Sequence, residues 1–130
     1  MAEMSNYLEV KLLNLTLNGT AFSGMNNPYV SLHTADPTDA GTGTEVSGGS
    51  YARTAASFAT ASGTSGLVAT DADVTFPTCT STWGVVGWIG LWDASTSGNM
   101  LYHTALDATK TIDTGDIFKI TTGNLTVELA

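Results

Sequence analysis

Two histidines, one cysteine, two pairs of closely spaced aspartates and three tryptophans are the residues of this chain with types and spacing that could do chemistry. His33 and His103 each lie in a strand-like run, beside Leu32 and Tyr102. They could share a metal ion if their strands were neighbours, but no third ligand stands at a defined spacing. The sequence therefore predicts polar strand positions and no metal centre. Asp71 and Asp73 are spaced i and i+2, which puts both on one face of a strand, and Asp113 and Asp116 flank a turn. Such pairs can gather Ca²⁺, yet the EF-hand pattern is absent and no set supplies enough oxygens. Solvated turn carboxylates are expected. Cys79, in TFPTCTST, has no charged neighbour to lower its pKa and no partner for an intrachain disulfide, so it reads as a packing residue. Serines are plentiful, but there is no GxSxG elbow, and the glycine runs GTGTEVSGG and SGTSG lack the lysine and spacing of a phosphate loop. No catalytic residue and no cofactor are expected.

Trp83, Trp88 and Trp92 fall within ten residues. Strand alternation places Trp88 and Trp92 on one face and Trp83 on the other. Three readings suit them: core packing, a subunit interface, in which Trp and Tyr are enriched, or a stacking platform for a sugar.

The surroundings of these residues exclude several function classes. Lys and Arg total 4 against 12 Asp and Glu, for a net charge of −8 in 130 residues. Four cations cannot neutralise a row of phosphates, so nucleic-acid binding is not expected, and anionic membranes repel the chain. The longest apolar stretch, Val85 to Trp92, is far shorter than the roughly 20 residues of a membrane span. The start, MAEMSNYLEV, has neither a basic region nor an apolar core, so no signal peptide is expected and synthesis in the cytosol follows. Only 12% of residues are charged, about half the usual share. The polar surface must come from 22 Thr and 11 Ser.

The elements that must position these groups are one helix and a series of short strands. Residues 5–19 carry Asn6 and Glu9 as a capping box, with Ser5 an alternative cap, and Asn18-Gly19 as a stop. Leu8, Leu12 and Leu15 form an apolar stripe that Val10, Leu13 and Leu17 are expected to broaden. The stripe must pack on this chain's sheet or on a neighbouring subunit, because so short a helix is marginal alone. Strands are predicted at Tyr29–Thr34, Ser50–Phe58, Leu67–Phe76, Trp83–Trp92, Met100–Ala105, Ile117–Ile120 and Leu125–Leu129. Trp83–Trp92 is apolar at both parities, which predicts a central strand buried on both faces. Asp93–Asn99 is a hairpin connection. The segment Asp36–Ser50, with four glycines, reads as a mobile loop suited to touching a partner. The fold class expected is mainly β: a single antiparallel β-sandwich or jelly-roll-like domain over 1–130 with one short N-terminal helix.

The run YVSLHTADPTDAGTGTEVSGGSYAR, Tyr29 to Arg53, resembles a stretch shared by small proteins of tailed bacteriophages. Other segments of the resemblance occur in order: NYLEVKLLN at Asn6–Asn14, VTFP at Val74–Pro77, Trp83-Gly84, GLWDASTSGNMLYH at Gly90–His103, and TGDIFKI at Thr114–Ile120. Members are usually labelled tail-fibre or minor virion proteins, and similar small β domains decorate capsids. The resemblance implies a virion structural protein and assigns no catalytic residue.

Within that class, one domain without shaft repeats, coiled coil or triple-β-helix pattern predicts a capsid decoration or cement protein. It would bridge major capsid subunits as a dimer or trimer. The alternative is a tail-fibre or tail-tip protein, serving as an adaptor or as a receptor- or glycan-binding module. A small glycan hydrolase using Asp71 and Asp73 is the enzymatic alternative, and no activity is expected. The residues expected at contacts with neighbours are Leu8, Leu12 and Leu15 on the helix, Asp36, Pro37, Asp39 and Glu45 in the loop, and Trp88 and Trp92 on the central strand.

Overall fold

The computed structural model describes residues 2–23, 27–63 and 65–129. Chain order is β1 (Glu3–Met4), α1 (Asn6–Asn18), β2 (Tyr29–His33), β3 (Thr54–Ala55), β4 (Leu67–Ala69), β5 (Val74–Thr75), β6 (Gly84–Trp92), β7 (Met100–Ile112), β8 (Lys119–Ile120) and β9 (Thr126–Glu128). Five strands form one sheet in the order β1-β7-β6-β2-β3, and β4–β9 and β5–β8 form two ribbons. All pairings are antiparallel. The apolar strand β6 lies in the middle, as its two-sided pattern predicts.

Alternation along β2 separates two buried layers. Val30 and Leu32 stand opposite Leu91 and Ile89 of β6. These four join Val74, Phe76, Phe118, Leu125 and Val127 from around the ribbons in one core. Phe76 meets Phe118 edge to face at 5.5 Å, and Tyr51 meets Trp83 the same way at 5.5 Å. Cys79 is buried in this core, its thiol directed at the Ser81 carbonyl, 3.1 Å away. The sheet and ribbons thus make the expected sandwich. On the other face of β2, Ser31 and His33 are buried as well, opposite Gly90 and Trp88. Among the described residues no strand covers that layer; the segment after β2 does.

That segment is folded where the sequence suggested mobility. Thr34 N–H donates to the Thr44 carbonyl and Val46 N–H to the Leu32 carbonyl, so the chain leaves β2 and returns alongside it. Pro37 is buried, and its carbonyl accepts from Thr42 N–H at 2.8 Å and Gly43 N–H at 3.2 Å. A Cβ on Gly43 would lie 2.2 Å from Pro37 Cα and 2.6 Å from the Asp36 carbonyl oxygen. Glycine is there for close backbone approach, not for looseness.

Strand lengths differ from expectation where side chains compete for the backbone. Ser50–Phe58 contributes only β3 and a single bridge from Phe58 to Thr70: Arg53 turns into the loop layer, and Tyr51, its ring in the core, commits its hydroxyl to Leu32 N–H, accepting at 3.0 Å. Leu67–Phe76 divides into β4 and β5 around Asp73, whose carboxylate accepts from Thr122 N–H and Oγ1 at 2.8 and 2.9 Å. β7 runs past Ala105 to Ile112, placing residues 106–109 opposite the single Gly87 at a bulge. Helix α1 is capped by Ser5, whose Oγ accepts from Leu8 N–H, and ends at Gly19 with φ 65°. Among the described residues no helix is long and apolar enough to cross a membrane.

Gly43→Ala is expected to destabilise the fold by about 1–3 kcal/mol, the usual range for forcing atoms into a packed site. Gly48→Ala, whose Cβ would meet nothing within 4 Å but whose φ is +76°, should lose only about 1 kcal/mol. Urea denaturation of both variants checks the order.

Candidate functional site

The loop layer brings together most of the residues singled out from the sequence. Trp92 Nε1–H donates to Ser31 Oγ at 2.7 Å, and Ser31 Oγ lies 2.7 Å from His33 Nε2. The hydroxyl accepts the indole proton, and its own proton has two acceptors in reach, the Gly90 carbonyl at 3.4 Å and, in the tautomer that leaves Nε2 bare, the ring itself. Burial lowers the His33 pKa, overriding the nearby Glu45 charge, and keeps the ring neutral. This serine–histidine contact is sealed, with both residues at 0% exposure, and has no access for a substrate.

Arg53 closes the layer. Its Nε and Nη2 donate to the two carboxylate oxygens of Glu45 at 2.9 and 2.8 Å. Its Nη1 donates to the carbonyls of Ala94 and Ser97 at 3.2 and 2.7 Å. The guanidinium carbon sits 3.7 Å from the Trp92 ring centroid, a cation–π contact. Tyr51 hydroxyl donates to Glu45 at 2.7 Å. Burial raises the Glu45 pKa, but the hydrogen bonds from Arg53 and Tyr51 and the Arg53 charge outweigh it, and the carboxyl sits below its ordinary range. Nothing in the spacing of Glu45 and Arg53 announces this pair. The available signal was that Arg53 is one of only four cations, inside an otherwise uncharged YAR segment.

The far end of the layer is acidic. His103 Nε2 lies 2.9 Å from Asp39 Oδ1 and 3.8 Å from Glu3 Oε2, and its Nδ1 is 3.6 Å from Asp36 Oδ1. Glu3, Asp39 and His103 each bring a ligand-type atom within 4.8 Å of the others. His33 and His103 do not form the metal pair considered above, because β6 runs between their strands. Asp113 and Asp116 cap their own turn, with Asp116 Oδ2 accepting from Asp113 N–H at 2.8 Å.

The helix is seated on this acidic end. Asn6 N–H donates to the Asp39 carbonyl at 3.0 Å, Ser5 N–H to the Leu101 carbonyl at 2.9 Å, and Ser5 Oγ to the Met100 carbonyl. Leu8 is buried; Leu12 is half-buried and Leu15 exposed. Val10, Leu13 and Leu17 do not broaden that stripe. At 3.6 residues per turn they fall on roughly the opposite side, and they are 55%, 57% and 75% exposed. Of the other residues expected at contacts, Pro37 and Trp92 are buried, Glu45 and Trp88 are partly buried, and Asp36 and Asp39 are exposed.

Arg53→Met should cost about 3–5 kcal/mol, as does removal of one partner from a buried pair, and Arg53→Lys should recover only part of it. The parent should lose stability on acidification in two stages. His33 has a depressed folded pKa, so its contribution is present above the ordinary value of 6.5 and fades as pH falls below it. Glu45, also depressed, contributes above the ordinary 4.5 and loses that contribution as pH falls through its folded value. Urea midpoints from pH 8 to 3 measure both stages, and His33→Gln should flatten the upper one.

No curated protein matches the chain in sequence. The family model described as podophage GP4 fiber I protein gp80 matches residues 3–128, a span from the first residue of β1 to the last of β9. With its helix, sandwich and loop layer all inside that match, the chain belongs to the podophage GP4 fiber I protein gp80 family, among the fibre proteins of phage virions.

Proposed function

We infer that this protein is a non-enzymatic fibre component that works by protein–protein contact at the phage tail, as an adaptor built into or onto a fibre. The observation that carries the reading is α1. One side rests on the chain's own sheet through Leu8, and the other presents Val10, Leu13 and Leu17, more than half exposed. Their 3-then-4 spacing is that of a helix–helix seam. The residues flanking the seam, Glu9, Asn14 and Thr16, include one charge, so little desolvation opposes a contact there. A second copy of the helix satisfies the same spacing, and a homo-oligomer of two or three chains is the arrangement proposed.

The absence of catalysis is part of this proposal. Its support is local: the buried Ser31–His33 pair is closed to substrate, and Asp73 is engaged by Thr122 and by Lys119, whose Nζ lies 3.8 Å away. The family's description as a fibre protein favours a place at the tail over capsid decoration, although the small single domain suggested decoration. Quantitative mass spectrometry of purified particles tests this. A few to a few dozen copies per particle are expected. Hundreds of copies would assign the protein to the capsid shell, and its absence from particles would end the virion reading.

A further inference from the structure

The acidic end of the loop layer has the makings of a metal site. His103 is 3% exposed, and its Nδ1 is buried with no hydrogen-bond partner. Buried, unpaired ring nitrogens are unusual in a folded protein; His33 Nδ1 is the other one among the described residues, but no carboxylate pair converges on the His33 ring as Glu3 and Asp39 do on His103. The nearest carboxylate to His103 Nδ1 is Asp36 Oδ1 at 3.6 Å. The other ring nitrogen, Nε2, faces Asp39 Oδ1 at 2.9 Å and Glu3 Oε2 at 3.8 Å. Two donors each about 2.0–2.1 Å from one tetrahedral ion stand about 3.3 Å apart. The observed 2.9 and 3.8 Å bracket that spacing.

We propose that Glu3, Asp39 and His103 bind one divalent cation of the Zn²⁺ class through Oε2, Oδ1 and Nε2, with Asp36 orienting the ring. One imidazole and two carboxylates suit Zn²⁺ better than Ca²⁺ or Mg²⁺, which favour all-oxygen shells. Binding through Nε2 fixes the ring proton on Nδ1, where it turns toward Asp36. This is the carboxylate–histidine–metal arrangement common around zinc; Asp36 is the exposed side chain that would close from 3.6 Å to complete it. The ion balances charge where three carboxylates converge on one ring. Glu3 and Asp39 are exposed, so the ion has a path in and water can complete its coordination. The three ligands come from β1, the loop layer and β7, 36 residues apart and then 64 (39 − 3 and 103 − 39). The ion would therefore staple together the segments on which α1 is seated.

Isothermal titration of the purified full chain with ZnCl₂ at neutral pH tests this, with CaCl₂ and MgCl₂ as comparisons. One Zn²⁺ per chain is expected, bound more tightly than either comparison ion, with a melting temperature that rises with Zn²⁺. Glu3→Gln and Asp39→Asn are surface changes that leave the core intact. Each should weaken Zn²⁺ binding at least tenfold, and Asp36→Asn by about 10–100-fold. X-ray absorption of the zinc-loaded parent should show one imidazole in a nitrogen and oxygen shell. Absence of Zn²⁺ binding, equal binding by the Glu3→Gln and Asp39→Asn variants, or preference for Ca²⁺ would each overturn the assignment.

Discussion

The loop layer depends on a single buried cation. Moving a guanidinium out of water costs several kcal/mol, and Arg53 offsets this with a bidentate carboxylate, two backbone carbonyls and the face of Trp92. Its partners come from three places: Glu45 in the loop after β2, Ala94 and Ser97 in the hairpin between β6 and β7, and Trp92 at the end of β6. Tyr51 adds a link from Glu45 to the β2 backbone at Leu32. Without this clamp the loop would lose its main attachment at one end. Ser31, His33 and Trp92 would then face water with polar groups arranged for one another.

Where the loop is held, the helix is held too. The Asp39 carbonyl receives the Asn6 N–H, and the Asp39 side chain meets His103. Gly41 is packed close to Trp92 and Met100, so that a Cβ there would lie 3.3 Å from Met100 Cβ. The base of α1 is thus fixed by hydrogen bonds to the loop and to β7, and by Leu8 alone among buried apolar side chains of the helix. Val10, Leu13 and Leu17 are exposed because they fall on the side of the helix opposite the buried Leu8 and the half-buried Leu12.

What could be read from the sequence was what depends on local pattern. The central strand was legible because both parities of Trp83–Trp92 are apolar, and the end of the helix because Gly19 acts on its own turn; its start reads first as an Asn6–Glu9 box, where the alternative, Ser5, is the cap. The loop layer was not. Glycines and aspartates between residues 36 and 50 have the composition of a mobile segment, and only the close approach of Gly43 to Pro37 shows that they pack. The split of Val10, Leu13 and Leu17 from the inner stripe was computable from helical angle alone. What composition could not supply was which stripe the sheet would take. Glu3, Asp39 and His103 are joined by the return of three distant segments to one sheet edge, a fact of topology that no spacing encodes.

The scarcity of charge follows from the same arrangement. Arg53 is consumed inside by Glu45, Lys119 lies 3.8 Å from Asp73, and Lys11 rests over the Tyr7 ring at 5.5 Å. The net −8 therefore reaches solvent with few cations free to temper it, and a surface of that sign opposes the approach of like charge. The outer stripe of α1 is apolar and nearly uncharged, while the other exposed large apolar side chains, Leu67, Val85, Ile117 and Leu129, lie outside the helix. Two surfaces with opposite tendencies thus stand on one small body: a broad acidic one that repels, and a narrow apolar one on a helix aimed by its base. Under the proposed helix-to-helix contact, the acidic surface opposes approach by like-charged faces, and the seating of α1 on the Asp39 and Leu101 carbonyls sets the direction of the seam.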